Sequence, residues 1–369
     1  MDDRTSSGTQ AFEALAPWGW DSALETAFAP HLGRGPVPGR VIVEDGGAWL
    51  VRTAEHELVA GLSGRYRHEL GDDPLAYPAV GDWVVVEAAD GTAQIIDRLP
   101  RRTVVVRRAP GGRGRNAQVV GANVDLLFLV MSLNRDFNLR RLERYVVVAW
   151  ESGATPMILL SKSDLTADVD SRVIGAESVA PGVSVVPVSA VTGVGIAEVR
   201  ERIVDGRTAA FIGSSGVGKS TIVNVLAGVE VMAAAEIRED DARGRHTTSR
   251  RQLIQLGQGL VLDTPGMREL GLSDADGLDM AFTDVVALAQ GCRFRDCEHH
   301  SEPGCAVRAA ILAGELRGAR LASYERLERE ARSAQRRSDA LVRLAEGRRW
   351  KTISKNNRAR SKALDRSWA

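Results

Sequence analysis

No stretch of this 369-residue chain is apolar over the roughly 18 positions that a membrane-crossing helix needs, which argues against a helical membrane protein. The start, Met1-Asp2-Asp3-Arg4-Thr5-Ser6, is polar and acidic and lacks the apolar core of a secretory leader. A cytoplasmic location is expected. Net charge is absent too, because 48 Lys and Arg balance 48 Asp and Glu. Any contact with a polyanion must therefore come from local patches and not from bulk charge. Cysteine is scarce: all three residues, Cys292, Cys297 and Cys305, fall in one short segment. In a cytosolic chain such a cluster reads as a metal site before it reads as disulfides.

The composition is that of a globular chain, 44% hydrophobic and 26% charged, and the length suggests two or three domains. Two basic patches stand out. Seven arginines and no acid lie between Arg98 and Arg115, and the tail from Arg348 to Ala369 has Asp365 as its one acid. Residues 1–38 mix Pro, Gly and polar residues and are expected to form a flexible extension. From 39 the texture is all-β. The runs Val41–Val43, Ala48–Val51, Leu58–Ala60, Trp83–Val86 and Ala93–Ile96 are separated by turn signals such as Asp45-Gly46-Gly47 and Gly81-Asp82. They suit a small Greek-key barrel such as an OB-fold, a frequent oligonucleotide binder; the spacing does not separate it from other small barrels. From Asn123 apolar strands alternate with helices, which indicates an α/β domain with a parallel sheet covered on both faces.

Within that domain Gly213-Ser214-Ser215-Gly216-Val217-Gly218-Lys219-Ser220 follows an apolar strand and precedes a helical run beginning at Thr221. This is the context of a phosphate loop, whose backbone wraps a β-phosphate. Lys219 neutralises β/γ oxygens there, and the Ser220 hydroxyl coordinates Mg²⁺. Downstream, Asp263-Thr264-Pro265-Gly266 ends a strand; Asp263 can hold the Mg²⁺ shell and the Gly266 amide can meet a γ-phosphate. Between them lies Gly244-Arg245-His246-Thr247-Thr248-Ser249. A threonine here, Thr248 in preference, would complete the Mg²⁺ coordination.

The base-selecting signal comes before the phosphate loop. Ser161-Lys162-Ser163-Asp164 follows an apolar strand, and the Asp164 carboxylate can accept both N1–H and N2–H of guanine, a pairing adenine does not offer. The usual first residue of this motif is Asn, and here it is Ser161. Ser189-Ala190 follows the next strand, where a backbone amide can meet the guanine carbonyl. The order, base loop first and phosphate loop second, is that of a circularly permuted GTPase. It is permissible because all these loops gather at the carboxyl ends of parallel strands. A P-loop ATPase or kinase is the competing enzyme reading, and a nucleotide-sensing RNA-binding module without required turnover is a third.

Cys292-x4-Cys297-x-His299-x5-Cys305 supplies three thiolates and an imidazole, enough to close one structural Zn²⁺ site, with His300 as a fallback ligand.

Taken together, these motifs resemble the RsgA (YjeQ) family of small-ribosomal-subunit biogenesis GTPases from about residue 39 to 320. Pro78-Ala79-Val80-Gly81-Asp82-Trp83 in the barrel, the Arg-rich connector and Arg245-His246-Thr247-Thr248 add to the match. The resemblance implies an OB-fold over 39–105, a permuted GTPase over 106–275, a helical zinc domain over 276–330 and a basic tail over 331–369. It implies docking on the small ribosomal subunit and its rRNA as a monomer, slow GTP hydrolysis stimulated by the subunit, and release of other assembly factors. The position that often holds a water-orienting Gln is Met267. The family places a catalytic His in the Arg-His-Thr-Thr context, which makes His246 the internal candidate.

Overall fold

A computed structural model describes residues 12–89, 92–108, 117–134, 136–230, 251–263, 276–333 and 335–336. The expected barrel is formed by β1 (Val37–Asp45), β2 (Ala48–Arg52), β3 (Glu57–Leu62), β4 (Trp83–Ala89) and β5 (Thr92–Arg98). Pairing runs β1-β2-β3-β5-β4, and β4 returns to β1, which closes the barrel in OB-fold order. All five sequence-expected runs lie in these strands. Their inward positions are filled by Val41, Val51, Val84 and Ile95, each essentially inaccessible to water.

Residues 12–38 differ from the flexible extension expected of 1–38. A helix, α1 (Ser22–Phe28), starts at Asp21, whose carboxylate accepts from the Leu24 amide. Leu15, Trp18, Trp20, Leu24 and Phe28 are all buried, and Trp20 meets Trp83 of β4 edge-on at 4.9 Å between centroids. The polar and Pro/Gly residues between these anchors hide the segment's apolar face from a composition argument.

The second domain contains β8 (Leu126–Ser132), β9 (Thr155–Ser161), β10 (Ser184–Val188) and β11 (Thr208–Ile212), joined in parallel in the order β10-β9-β8-β11. The antiparallel hairpin β12 (Arg251–Leu256) and β13 (Gly259–Asp263) extends the sheet, β13 running parallel to β11. After α2 (Gly64–Leu70), which lies between β3 and β4 of the barrel, helices α3 (Leu139–Glu151), α4 (Val169–Glu177), α5 (Ile196–Arg202) and α6 (Lys219–Ala227) follow β8, β9, β10 and β11. β8 is buried at every position, as expected of a central strand covered on both faces.

The two domains share more than a linker. β12 also pairs with β1 of the barrel, so that among the described residues eleven strands form one continuous sheet. Arg40 of β1, wholly buried, donates to the Trp18 carbonyl, to the Asn123 carbonyl and, at 2.7 Å, to the Thr208 hydroxyl at the foot of β11. Burial lowers its pKa to about 10. A separate hairpin, β6 (Val104–Arg108) with β7 (Ala117–Ala122), leads from barrel to GTPase-type sheet.

The described chain resumes as α7 (Asp276–Ala281), α8 (Thr283–Ala289), α9 (Ala306–Ala313) and a further helix, α10, over 318–333. α7 lies directly on α3. A Cβ added at Gly277 would stand 2.3 Å from the Val147 carbonyl oxygen, so glycine is what allows this approach.

Candidate functional site

The phosphate loop leaves the carboxyl end of β11 and enters α6, as the motif requires. Gly213 has φ +154° and a Cβ there would fall 2.3 Å from the Val130 carbonyl of β8, so the loop's first residue must be glycine. Gly216 and Gly218 are left-handed, at φ +75° and +95°. Gly218 caps α6 without a side chain, so the first amides of the helix point into the loop and favour an anion. The Lys219 ammonium lies over the same loop and donates to the Gly213 and Ser214 carbonyls, both at 2.7 Å. Ser215, Ser220 and Thr221 sit on the same loop-to-helix junction.

The base-selecting loop is tied to this loop by two side chains. Ser161, 2% exposed at the end of β9, donates from its hydroxyl to the Val217 carbonyl at 2.6 Å. Lys162, at φ +58°, donates to the Gly216 carbonyl at 2.7 Å. The serine in place of Asn thus spans the gap and keeps the two loops in register. Ser163 and Asp164 begin the short 3-10 turn that follows. Buried Ser189, at the end of β10, donates to the Asp164 carboxylate at 2.6 Å and accepts from the Thr192 amide at 3.1 Å. That bond orients Asp164 and places Ala190 beside it. The base-selecting loop, the Ser189-Ala190 loop and the phosphate loop emerge from the carboxyl ends of β9, β10 and β11. Asp263 ends β13 opposite Gln252. Burial raises its pKa, and a hydrogen bond with the Gln252 side chain opposes the rise.

The Cys/His cluster is assembled as its spacing implies. The ligand atoms of Cys292, Cys297, His299 and Cys305 all lie within 4.8 Å of one another. His299 Nδ1 is 3.7 Å from Cys292 Sγ and 3.5 Å from Cys305 Sγ, and the two sulfurs are 3.9 Å apart. A tetrahedral Zn²⁺ with bonds of about 2.3 Å to sulfur and about 2.0 Å to nitrogen needs edges of roughly 3.5–3.8 Å, so the donor set fits. Cys305 also caps α9, accepting from the Arg308 amide at 3.5 Å. His300 turns away, toward Glu325 at 3.8 Å, which removes it as the fallback ligand.

A model of the RsgA GTPase family matches residues 98–273. The chain is 45% identical over 318 residues to small ribosomal subunit biogenesis GTPase RsgA 2 of Lactiplantibacillus plantarum, spanning 86% of this chain and 89% of that one. It is 43% identical to small ribosomal subunit biogenesis GTPase RsgA of Streptomyces coelicolor, spanning 92% of each. The chain belongs to the RsgA GTPase family. Solved structures agree: YjeQ from Thermotoga maritima superposes with a TM-score of 0.61 at 25% identity, covering 80% of this chain and 98% of that one. YloQ, a circularly permuted GTPase, gives 0.59 at 25% identity, covering 82% and 97%.

Within this RsgA-family site, Thr248, His246, Gly266 and Met267 lie outside the described residues, as does the basic tail from 337 on; its first residues, 331–333, continue α10. The arginine-rich connector divides. Arg101 is turned inward to the fully buried Asp82 at 2.7 Å and to the Leu75 and Tyr77 carbonyls, so it braces the barrel and does not offer charge to a phosphate. Arg102 pairs with Asp21. Arg113 and Arg115 lie outside the described residues. Sequence reading also missed two residues of α3 at the phosphate loop: Arg141 donates to the Ser214 hydroxyl, and the buried Tyr145 lies one turn along the same face, with Ser214 opposing the rise that burial gives its pKa. Helical spacing puts 141 and 145 on one face, but no motif says what that face meets.

Proposed function

We propose that this GTP hydrolase binds the small ribosomal subunit through its rRNA and acts in late maturation of that subunit, with slow turnover that the subunit stimulates and with release of other assembly factors. The observation that carries the nucleotide part is the pair of bonds, Ser161 to Val217 and Lys162 to Gly216, that lock the base-selecting loop to the phosphate loop. In this reading Asp164 takes the guanine N1–H and N2–H, the Ala190 amide takes its carbonyl, and Ser163 supports the loop. Residues 213–221 enclose the phosphates. Ser220 and Asp263, with Thr248, would hold a Mg²⁺ ion, which would neutralise charge on the β/γ oxygens. Gly266 meets the γ-phosphate. His246 orients the attacking water, the task that Met267 leaves open.

Four protein ligands would leave a zinc ion no position for water, which supports a structural and not a catalytic role for it. The ribosomal part rests on the relatives named above and on an OB-order barrel, a fold suited to oligonucleotides. Competition binding tests the guanine assignment. GTP and GDP should displace a fluorescent guanine nucleotide at micromolar levels while ATP fails at a hundredfold excess, and Asp164→Ala should erase the difference. Equal competition by ATP would reinstate the ATPase reading.

A further inference from the structure

Helix α3 makes three buried or partly buried polar connections, through residues of its own, Arg141, Glu143 and Arg144, that belong to no nucleotide motif. On one face Arg141 donates to the hydroxyl of Ser214, the second residue of the phosphate loop, and is itself steadied by Asp136. On the other face Glu143, only 4% exposed, receives Arg320 of α10 at 3.3 Å. Arg320, 5% exposed, also pairs with Asp284 of α8 at 3.0 Å and stacks over the Phe282 ring at 3.9 Å. A second pair, Arg144 with Glu330 at 2.7 Å, repeats the connection further along α10. The close seat of α7 at Gly277 completes the grip on α3.

A buried ionic network of this kind holds geometry rather than adding much stability, because each charge gives up hydration to enter it. It joins the C-terminal module to a helix that steadies Ser214 from outside the loop. Since the loop amides must be aimed at developing negative charge, a small displacement of Ser214 is felt in turnover more than in binding.

We propose that Arg141 is a positioning residue for the phosphate loop, acting through Ser214, and that α3 makes GTP turnover responsive to how the C-terminal module is docked through Glu143 and Arg320. This link is distinct from the chain's passage out of Asp263, and it rests on the nucleotide reading of the loop given above.

The test is kinetic, on the full chain with single and paired substitutions. Arg141→Met should lower kcat for GTP about tenfold with KM within about twofold, the loss of one charged hydrogen bond expressed in the transition state. Arg141→Lys should recover part of that loss. Arg141→Met should have no further effect in a Ser214→Ala background, because both remove the same contact. Glu143→Gln should reproduce the signature at about threefold and add nothing to Arg141→Met. Should Glu143→Gln fail to fold, Arg144→Gln on the more exposed pair takes its place and should show the same non-additivity. Unchanged kcat in Arg141→Met, or a loss that moves KM equally and is not rescued by lysine, would overturn the positioning role. Additive effects of Arg141→Met and Glu143→Gln would overturn the coupling. The same paired variants are also read by GDP affinity. A wild-type chain that binds no guanine nucleotide would therefore count against the nucleotide reading, separately from this proposal.

Discussion

Ser161 shows how much a single substitution in a motif can retain. Its hydroxyl is buried and donates to the Val217 carbonyl, one of two side-chain bonds, with that from Lys162 to Gly216, that tie the loops together. Removing it in Ser161→Ala leaves a buried carbonyl unpaired, at a cost of about 1–3 kcal/mol. Guanine nucleotide affinity should fall roughly tenfold with little change in the preference over ATP, because Asp164 and its Ser189 partner are untouched. Isothermal titration with GDP and ATP checks both halves; an unchanged affinity would mean the tie is idle. This bond was half legible. The sequence places a serine where the motif has Asn and shows that it can donate, but the reach depends on how closely β9 approaches the phosphate loop. Arg141 was not legible at all, since its partner is 73 positions away and its type gives no hint of a loop contact.

At the scale of elements, strands announced themselves better than the segment before them. Short β-prone runs between turn signals such as Asp45-Gly46-Gly47 and Gly81-Asp82 mark five barrel strands, because the pleat and the turn both leave a signature in residue type. The segment over 12–38 has no periodic run, yet its large side chains form one aromatic cluster, Phe12, Trp20 and Phe28 against one another and Trp20 against Trp83. Trp20→Ala should therefore destabilise the barrel by about 3–5 kcal/mol, as removal of a buried aromatic does in other cores. Chemical denaturation measures this, and a loss under 1 kcal/mol would return residues 12–38 to the status of an appendage. The pairing of β12 with β1 was equally hidden, because an edge strand's partner is set by tertiary approach and leaves no local mark.

For the whole molecule, the permuted order of motifs was readable because each loop carries its own chemistry, and the parallel strands β10-β9-β8-β11 bring the base-selecting, Ser189-Ala190 and phosphate loops to one end of the sheet regardless of chain order. What the order could not reveal is the degree of connection between modules: one sheet through barrel and nucleotide domain, and a buried Arg320 between nucleotide domain and C-terminal helices. A zinc ion held by Cys292, Cys297, His299 and Cys305 would stabilise the C-terminal module and take no part in hydrolysis. Prolonged chelation should release about one equivalent of zinc and expose the 292–305 segment to protease, while the rest of the chain stays folded. Loss of guanine nucleotide binding in parallel with zinc would show that the modules do not fold separately.

The central claim, a guanine-specific hydrolase tuned by the small ribosomal subunit, is tested most directly by GTP turnover of the purified chain titrated with small subunits. Turnover should be slow alone and rise at least tenfold to saturation with subunits; His246→Ala should keep its GTP affinity within about twofold and lose the rise. A flat titration for the unaltered chain would contradict the account.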